Sequence, residues 1–146
     1  GITMRNAGAC VWLVDDDPLY TTIMQAILQK TGRVAEAVAF DNASDALEAL
    51  WSKAECPESL PDILLVDINM PVLDGWGFLE LYAADKHKLG KLPRVYVVSS
   101  SVDVNDIRKA KSYPEVSDYL TKPVTVETMH KLLNQVDEPN PAADAT

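Results

Sequence analysis

The chain has 146 residues, of which 47% are hydrophobic and 24% are charged, and its formal net charge is −9 with a pI near 4.5. This length and apolar fraction are typical of one globular domain with a single core. Because an acidic surface repels nucleic acid and anionic lipid, we expect neither direct nucleic-acid binding nor attachment to a membrane surface.

The chain also lacks patterns that would suggest secretion or a membrane span. No apolar run approaches the roughly 20 residues that cross a bilayer, and residues 1–8 have no apolar stretch of the signal-peptide kind. We therefore expect a cytoplasmic protein without a membrane segment. Cys10 and Cys56 are the only cysteines, so structural disulfides and a cysteine-rich metal site are not expected.

Five apolar runs of strand length recur along the chain. They lie at residues 10–14, 34–40, 63–66, 95–98 and 116–120. Three of them are almost continuously apolar, which is typical of strands buried on both faces of a parallel sheet. The run at 34–40 is less apolar, so we place it nearer an edge of the sheet.

Segments with helical spacing of apolar residues follow these runs. The first closes at Gly32, and the second follows Ser44, a residue type that often caps a helix N-terminus. Further helices are predicted over residues 76–84, 106–111 and 126–136. Five strands alternating with five helices, each repeat long enough for a right-handed crossover, predict a doubly wound α/β fold with a parallel sheet.

Both ends of the chain differ in composition from the rest. Residues 1–8 and 137–146 carry no apolar period, and the second segment is rich in proline, alanine and acidic residues. We expect both segments to be flexible and to flank one domain over residues 9–136.

Acidic residues follow the first and third predicted strands. Asp15, Asp16 and Asp17 come directly after the first strand, and Asp67 follows the third apolar run. Ligands of open parallel sheets bind beyond the carboxyl ends of the strands, so these carboxylates can share one cation there, and Mg²⁺ suits their oxygen atoms. The alternative for the first three acids is a solvated loop beside a helix N-terminus, whose dipole favours negative charge.

Hydroxyl and ammonium groups follow the last two predicted strands. Ser99, Ser100 and Ser101 can donate to a phosphoryl oxygen, although serines after a strand also form turns. After the fifth strand, Lys122 can balance the carboxylates, and its bond to Pro123 can be cis. Acids follow the first strand, a further acid follows the third, a hydroxyl follows the fourth and a lysine follows the fifth. This order is more specific than any one of these features alone.

With these residues in place, the chain resembles the response-regulator receiver family of two-component signalling. The resemblance rests on VWLVDDDP, ILLVDINMPVLDGWGFLE, VYVVSSS and YLTKP, which occur in the family's order, and it covers residues 10–136. It implies a flavodoxin-like fold with strand order 2-1-3-4-5 and five helices. It also implies that Asp67 is the residue that accepts a phosphoryl group.

The resemblance further implies a Mg²⁺ site. By motif position, Asp16 and Asp67 are direct ligands of the cation, and Asn69 offers its backbone carbonyl. Asp15 and Asp16 form the family's acidic pair; Asp15 acts through water, and Asp17 falls outside the pair.

Other residues match the switch positions of the family. Ser99 corresponds to the hydroxyl that contacts the phosphoryl group, and Lys122 corresponds to the lysine that offsets its charge. Tyr119 corresponds to the aromatic residue that turns inward when the switch is activated.

The implied function is a phosphorylation switch. A histidine kinase or a histidine phosphotransfer protein would supply the phosphoryl group, and Mg²⁺ would be the cofactor. The surface of the fourth helix, fifth strand and fifth helix would then bind a downstream effector protein or support a homodimer. Such a chain is not a conventional enzyme, since it catalyses only its own phosphorylation and slow dephosphorylation.

Two other interpretations remain open. A haloacid-dehalogenase-type phosphatase would use Asp15 and Asp17 as a DxD motif, with Ser99 and Lys122 as later motifs, but this leaves Asp67 unexplained. A binding module would keep the fold without ever being phosphorylated.

Overall fold

The computed structural model describes residues 8–144, without the side chains of residues 143 and 144. Within this range the chain forms one parallel sheet of five strands. The strands are β1 (Ala9–Val14), β2 (Val34–Phe40), β3 (Ile63–Asp67), β4 (Arg94–Ser99) and β5 (Val116–Thr121). The spatial order is β2-β1-β3-β4-β5, which confirms both the predicted order and the edge position of β2.

Five α-helices connect the strands, as the sequence predicts. They are α1 (Pro18–Lys30), α2 (Ala43–Ser52), α3 (Gly75–Asp85), α4 (Val104–Lys111) and α5 (Val126–Gln135). Short 3-10 helices lie at Pro57–Ser59, Lys86–Lys88 and Pro141–Asp144. No helix within the described residues is long and apolar enough to cross a membrane.

The sheet separates two apolar cores. Side chains of α2, α3 and α4 pack on one face, against strand residues that include Trp12 and Val66. Side chains of α1 and α5 pack on the other face, against residues that include Leu13 and Leu65. Since β3 is central, all five of its residues are buried, which explains its continuous apolar run.

The start of α2 differs from the prediction. The sequence favours Ser44 as the capping residue, whereas the helix begins at Ala43 and its cap is Asn42, whose side chain accepts a hydrogen bond from the backbone N–H of Asp45. Asparagine and serine both cap helices well, and Ser44 lies already inside the first turn. The backbone geometry therefore selects between two chemically suitable residues.

The turn between β3 and α3 holds the chain unusually close to itself. A Cβ atom on Gly75 would lie 2.5 Å from the backbone oxygen of Asp67 and 2.5 Å from the Cα of Ile68. Only glycine allows this approach, which seats the start of α3 against the end of β3. At the tip of the same turn, Val72 is fully exposed and has a φ of 67°, a conformation that β-branched residues rarely adopt.

The segment after α5 is anchored. The guanidinium of Arg94, 7% exposed, donates to the backbone carbonyls of Glu138 at 2.6 Å and of the next residue at 3.0 Å. The side-chain amide of Asn140 donates to the two carbonyls that precede β4, at 3.2 and 3.3 Å, and Ala142 is buried. The sequence predicts flexibility over residues 137–146; within this segment, side-chain to backbone hydrogen bonds link residues 138–140 to the amino end of the sheet.

The prediction of a flexible segment at residues 1–8 falls almost entirely outside the described part of the chain. Residues 1–7 lie outside the described residues. Gly8 alone is described; its φ is 91°, and an added Cβ would lie 2.8 Å from the backbone nitrogen of Ala35.

Candidate functional site

Three carboxylates meet at the carboxyl edge of the sheet. Asp15 follows β1 directly, Asp67 is the last residue of β3, and the two strands are paired neighbours. Asp15, Asp16 and Asp67 each offer an oxygen, and these three oxygens lie within 4.8 Å of one another. Asp15 and Asp67 are buried and Asp16 is exposed, so the cluster opens to solvent on the side of Asp16.

Both oxygens of Asp15 already accept hydrogen bonds. Its Oδ1 accepts from the backbone N–H of Asp17 at 2.9 Å, and its Oδ2 accepts from the ammonium of Lys122 at 2.9 Å. Asp17 itself turns away from the cluster, because its Oδ1 accepts from the backbone N–H groups of Leu19 and Tyr20 and so caps α1. The three adjacent acids therefore have three different environments.

Lys122 is the cation of this pocket. It follows β5, and its backbone N–H donates to the carbonyl of Ser99 at 2.8 Å, which fixes the loop beside β4. Its Nζ lies 2.9 Å from Asp15 Oδ2 and 3.9 Å from Asp67 Oδ1. The bond from Lys122 to Pro123 is cis, one of the two isomers that the sequence allows.

Asp67 has a raised pKa. Burial and the negative charge of Asp15 raise its pKa to about 6, while the backbone N–H of Asn69 and the ammonium of Lys122 lower the pKa by a smaller amount. Burial and the charges of Asp15 and Asp67 likewise raise the pKa of Tyr20, so its phenol stays neutral. Both pKa shifts therefore reflect burial first and the surrounding negative charge second.

The donor atoms fit a hard divalent cation. The cluster supplies carboxylate oxygens from three side chains, no sulfur and no imidazole, and Mg²⁺ and Ca²⁺ bind through oxygen ligands. A divalent cation would also balance the charge that raises the pKa of Asp67. The acidic pocket can therefore hold a metal ion.

Ser99 connects the pocket to the start of α4. Its side chain is fully buried, and its Oγ accepts from the backbone N–H of Ser101 at 3.0 Å and from the amide of Asn69 at 3.5 Å. Ser101 in turn donates through its hydroxyl to Asp106 in the first turn of α4, at 2.8 Å. Hydrogen bonds thus run from the end of β4 to α4.

Tyr119 lies in the apolar core on the α4 side of the sheet rather than in the carboxylate pocket. Its ring is buried in the core beneath α4, and its hydroxyl donates to the backbone carbonyl of Ser101 at 2.7 Å. The side chain therefore occupies an inward position, linked to the same loop as Ser99. It makes no contact with the three carboxylates.

The structure thus brings most of the predicted residues together. Asp15, Asp16, Asp67 and Lys122 form the pocket, and Asn69 borders it. Sequence analysis missed Tyr20, whose ring packs against Lys122. The available signal was its place in the first turn of a helix that starts at the pocket, but such a position gives no ring orientation.

Comparison with known proteins identifies the family. Residues 11–134 match the family model described as the response regulator receiver domain. The DNA-binding transcriptional regulator NtrC of Escherichia coli is 33% identical over 117 residues, which are 80% of this chain and 22% of that protein. Protein PilH of Pseudomonas aeruginosa is 28% identical over 128 residues, which are 88% of this chain and 97% of that protein.

Solved structures agree with this assignment. A two-component response regulator from Cytophaga hutchinsonii superimposes with a TM-score of 0.80 at 29% sequence identity, covering 88% of this chain and 97% of that one. The chain spans only about a quarter of the length of the NtrC relatives that it matches, 24% and 22% for two of them. The chain belongs to the response regulator receiver domain family of two-component signalling, whose members interact with kinases and effectors.

Proposed function

We propose that this receiver domain accepts a phosphoryl group on Asp67 from the phosphohistidine of a histidine kinase or of a histidine phosphotransfer protein. The observation that carries the proposal is the position of Asp67: a buried carboxylate, 5% exposed, at the end of the central strand, with a raised pKa and an ammonium 3.9 Å away. Buried acids with strongly perturbed pKa values cluster at functional sites.

Mg²⁺ is the cation that we assign to the pocket. Asp16, Asp67 and the backbone carbonyl of Asn69 would bind it directly. Asp15 would act through water, an assignment supported by the hydrogen bonds that both of its oxygens already accept. When bound, Mg²⁺ supplies positive charge for the oxygens of the transferring phosphoryl group.

Asp67 would act as the nucleophile. Near pH 7 a carboxyl group with a pKa of about 6 is mostly ionised, and a bound cation would favour the ionised, nucleophilic form further. One of its oxygens forms a bond to phosphorus in line with the P–N bond of the phosphohistidine. That bond breaks, and the imidazole leaves and takes up a proton. Lys122, already 3.9 Å from Asp67, offsets charge on the phosphoryl oxygens.

The switch would then act through Ser99. Its hydroxyl accepts in both of its hydrogen bonds, so it keeps its own proton to donate to a phosphoryl oxygen. A movement of Ser99 changes the loop that contains Ser101, which contacts both α4 and the hydroxyl of Tyr119. The α4, β5 and α5 surface would thereby change its affinity for an effector protein or for a second copy of the chain.

The structure weakens the support for the phosphatase alternative. A DxD site needs the side chains of both Asp15 and Asp17 at the reacting centre, whereas Asp17 caps α1 by accepting hydrogen bonds from the backbone N–H groups of Leu19 and Tyr20 at 3.0 and 3.2 Å. The pocket carboxylates are instead Asp15, Asp16 and Asp67. The alternative of a binding module that is never phosphorylated would be supported if the native chain gained no phosphoryl group in the experiment below.

The experiment is intact mass spectrometry after incubation with phosphoramidate and Mg²⁺. We expect the native chain to gain one acid-stable, base-labile phosphoryl group that is absent with EDTA and absent in Asp67→Asn. Asp17→Asn is the matched control, because it removes an adjacent charge but keeps a residue type that caps α1; it should be modified like the native chain. An adduct that persists in Asp67→Asn would contradict the proposal.

A further inference from the structure

Tyr20 forms one wall of the pocket. It lies in the first turn of α1, and its half-buried side chain packs against the core formed by α1 and α5. Lys122 Nζ lies 4.1 Å from the centroid of its ring. An ammonium over an aromatic face at this distance is attracted by the negative face of the ring.

The ammonium of Lys122 is therefore held on two sides. Asp15 Oδ2 lies 2.9 Å from the Nζ, and the ring of Tyr20 lies over it. Asp67 lies 1.0 Å farther from the Nζ than Asp15 does, at 3.9 Å. Only 20% of the lysine side chain is exposed, although a lysine has four flexible bonds and strongly prefers hydration.

Local hydrogen bonds fix the backbone that carries this ring. Asp17 accepts from the backbone N–H of Tyr20 at 3.2 Å, and the backbone N–H of Asp17 donates to Asp15 at 2.9 Å. The carboxylate that contacts Lys122 and the ring that covers it are thus joined through a single short turn. Asp17, which is outside the metal cluster, makes these contacts as the cap of α1, a role that asparagine can also fill.

We propose that Tyr20 is a positioning residue for Lys122: its aromatic face holds the ammonium within reach of Asp67 and limits the other rotamers of the lysine. This inference rests on the proposed phosphorylation of Asp67 and deepens it. A freely moving lysine would spend less time where the phosphoryl oxygens develop charge, so loss of the ring face should slow phosphoryl transfer.

The first test measures the contact itself, in Mg²⁺-free and unmodified protein. The ε-methylene protons of Lys122, assigned by comparison with Lys122→Arg, should show an upfield ring-current shift in ¹H–¹³C NMR spectra. Tyr20→Phe should keep the shift and Tyr20→Met should lose it. An unchanged Lys122 signal in Tyr20→Met would overturn the proposal.

The second test measures the initial rate of phosphoryl incorporation from phosphoramidate with Mg²⁺. Tyr20→Met should be about threefold to tenfold slower than the native chain, since it loses a partly desolvated cation–π contact. Tyr20→Phe should recover most of the rate, because it restores the aromatic face. Ile27→Met is the control for repacking of α1, since Ile27 packs against the same core, and it should leave the rate unchanged.

Different results would contradict the role of Tyr20 and the phosphorylation of Asp67. A native rate in Tyr20→Met would overturn the role of Tyr20 and leave the phosphorylation of Asp67 intact. Absence of any adduct on the native chain would contradict the proposed function, while the NMR spectra would still decide whether the ring of Tyr20 holds Lys122.

Discussion

Buried charged groups have different surroundings at the two ends of the sheet. At the amino end, Asp62 accepts from the ammonium of Lys91 at 2.9 Å and from the backbone N–H of Cys10 at 2.8 Å, and Arg94 donates to two carbonyls of the segment after α5. At the carboxyl end, three acids lie around one lysine. We call the amino end matched, because a salt bridge and hydrogen bonds to carbonyls satisfy its buried charges and hold segments together. We call the carboxyl end unmatched, because its acids outnumber its lysine, and there we expect a cation and a phosphoryl group to bind.

Breaking the matched end should have the largest effect on stability. Arg94→Met keeps the apolar stem but leaves the carbonyls near Glu138 without their charged donor, so we expect a loss of about 2–3 kcal/mol in the free energy of unfolding. Urea denaturation measures this. Arg108→Met, an exposed change on α4, should stay within about 0.5 kcal/mol of the native value, and an equal loss in both variants would remove the special role of Arg94.

Relieving the unmatched end should stabilise the protein. The pKa of Asp67 is raised from an ordinary 3.8 to about 6, so the folded state binds this proton more tightly than the unfolded state does. Ionised Asp67 therefore lowers stability above about pH 6, and the cost disappears as the pH falls through 6 towards 4. The full shift corresponds to about 3 kcal/mol, and solvent screening reduces it, so Asp67→Asn should gain about 2 kcal/mol at pH 7 without Mg²⁺.

The pH dependence provides the control for this prediction. Denaturation with EDTA between pH 4 and pH 8 should show a gain from Asp67→Asn that is small at pH 4 and grows until about pH 7. Asp17→Asn, which changes an exposed carboxylate, should show no comparable rise. A gain of the same size at every pH would mean that the charge of Asp67 is not its cause.

Adding the missing positive charge should have a similar but smaller effect. Mg²⁺ at about ten times its dissociation constant should stabilise the native chain by about 1.4 kcal/mol, because it binds only the folded pocket. Asp16→Asn should lose this stabilisation and Asp17→Asn should keep it, as judged by thermal unfolding with and without the ion. Equal stabilisation of both variants would point to cation binding elsewhere.

The smallest expected loss of stability comes from a change at the amino end of the sheet. Lys91→Met removes one partner of Asp62, yet the backbone N–H of Cys10 continues to donate, so the loss should be about 0.5–1 kcal/mol. Lys88→Met removes the more exposed pair with Asp85 and should cost less in the same urea titration. If Lys88→Met lost more stability than Lys91→Met, the more buried ion pair would not be the stronger one, as we expect it to be.

The sequence predicted the elements of this fold better than the contacts between them. The apolar run of β3 and the weaker one of β2 reflect burial, which composition reports directly. The anchoring by Arg94 was not predictable, because it uses backbone carbonyls that any residue carries. Tyr20 was missed for a related reason: a ring over Lys122 depends on the tertiary arrangement of α1 and the loop after β5.

β4 has a consequence for the design of optical reporters. It begins with Arg94 and ends with Ser99, about 17 Å apart for a strand of this length. A fluorophore on the exposed side chain of Glu138 would therefore report the loss of the fold, whereas one on exposed Val102 would report changes beside the pocket. Burial and neighbouring acids raise the pKa of the Cys10 thiol to about 12, so once the exposed Cys56 is replaced, an introduced cysteine at either position should be labelled selectively.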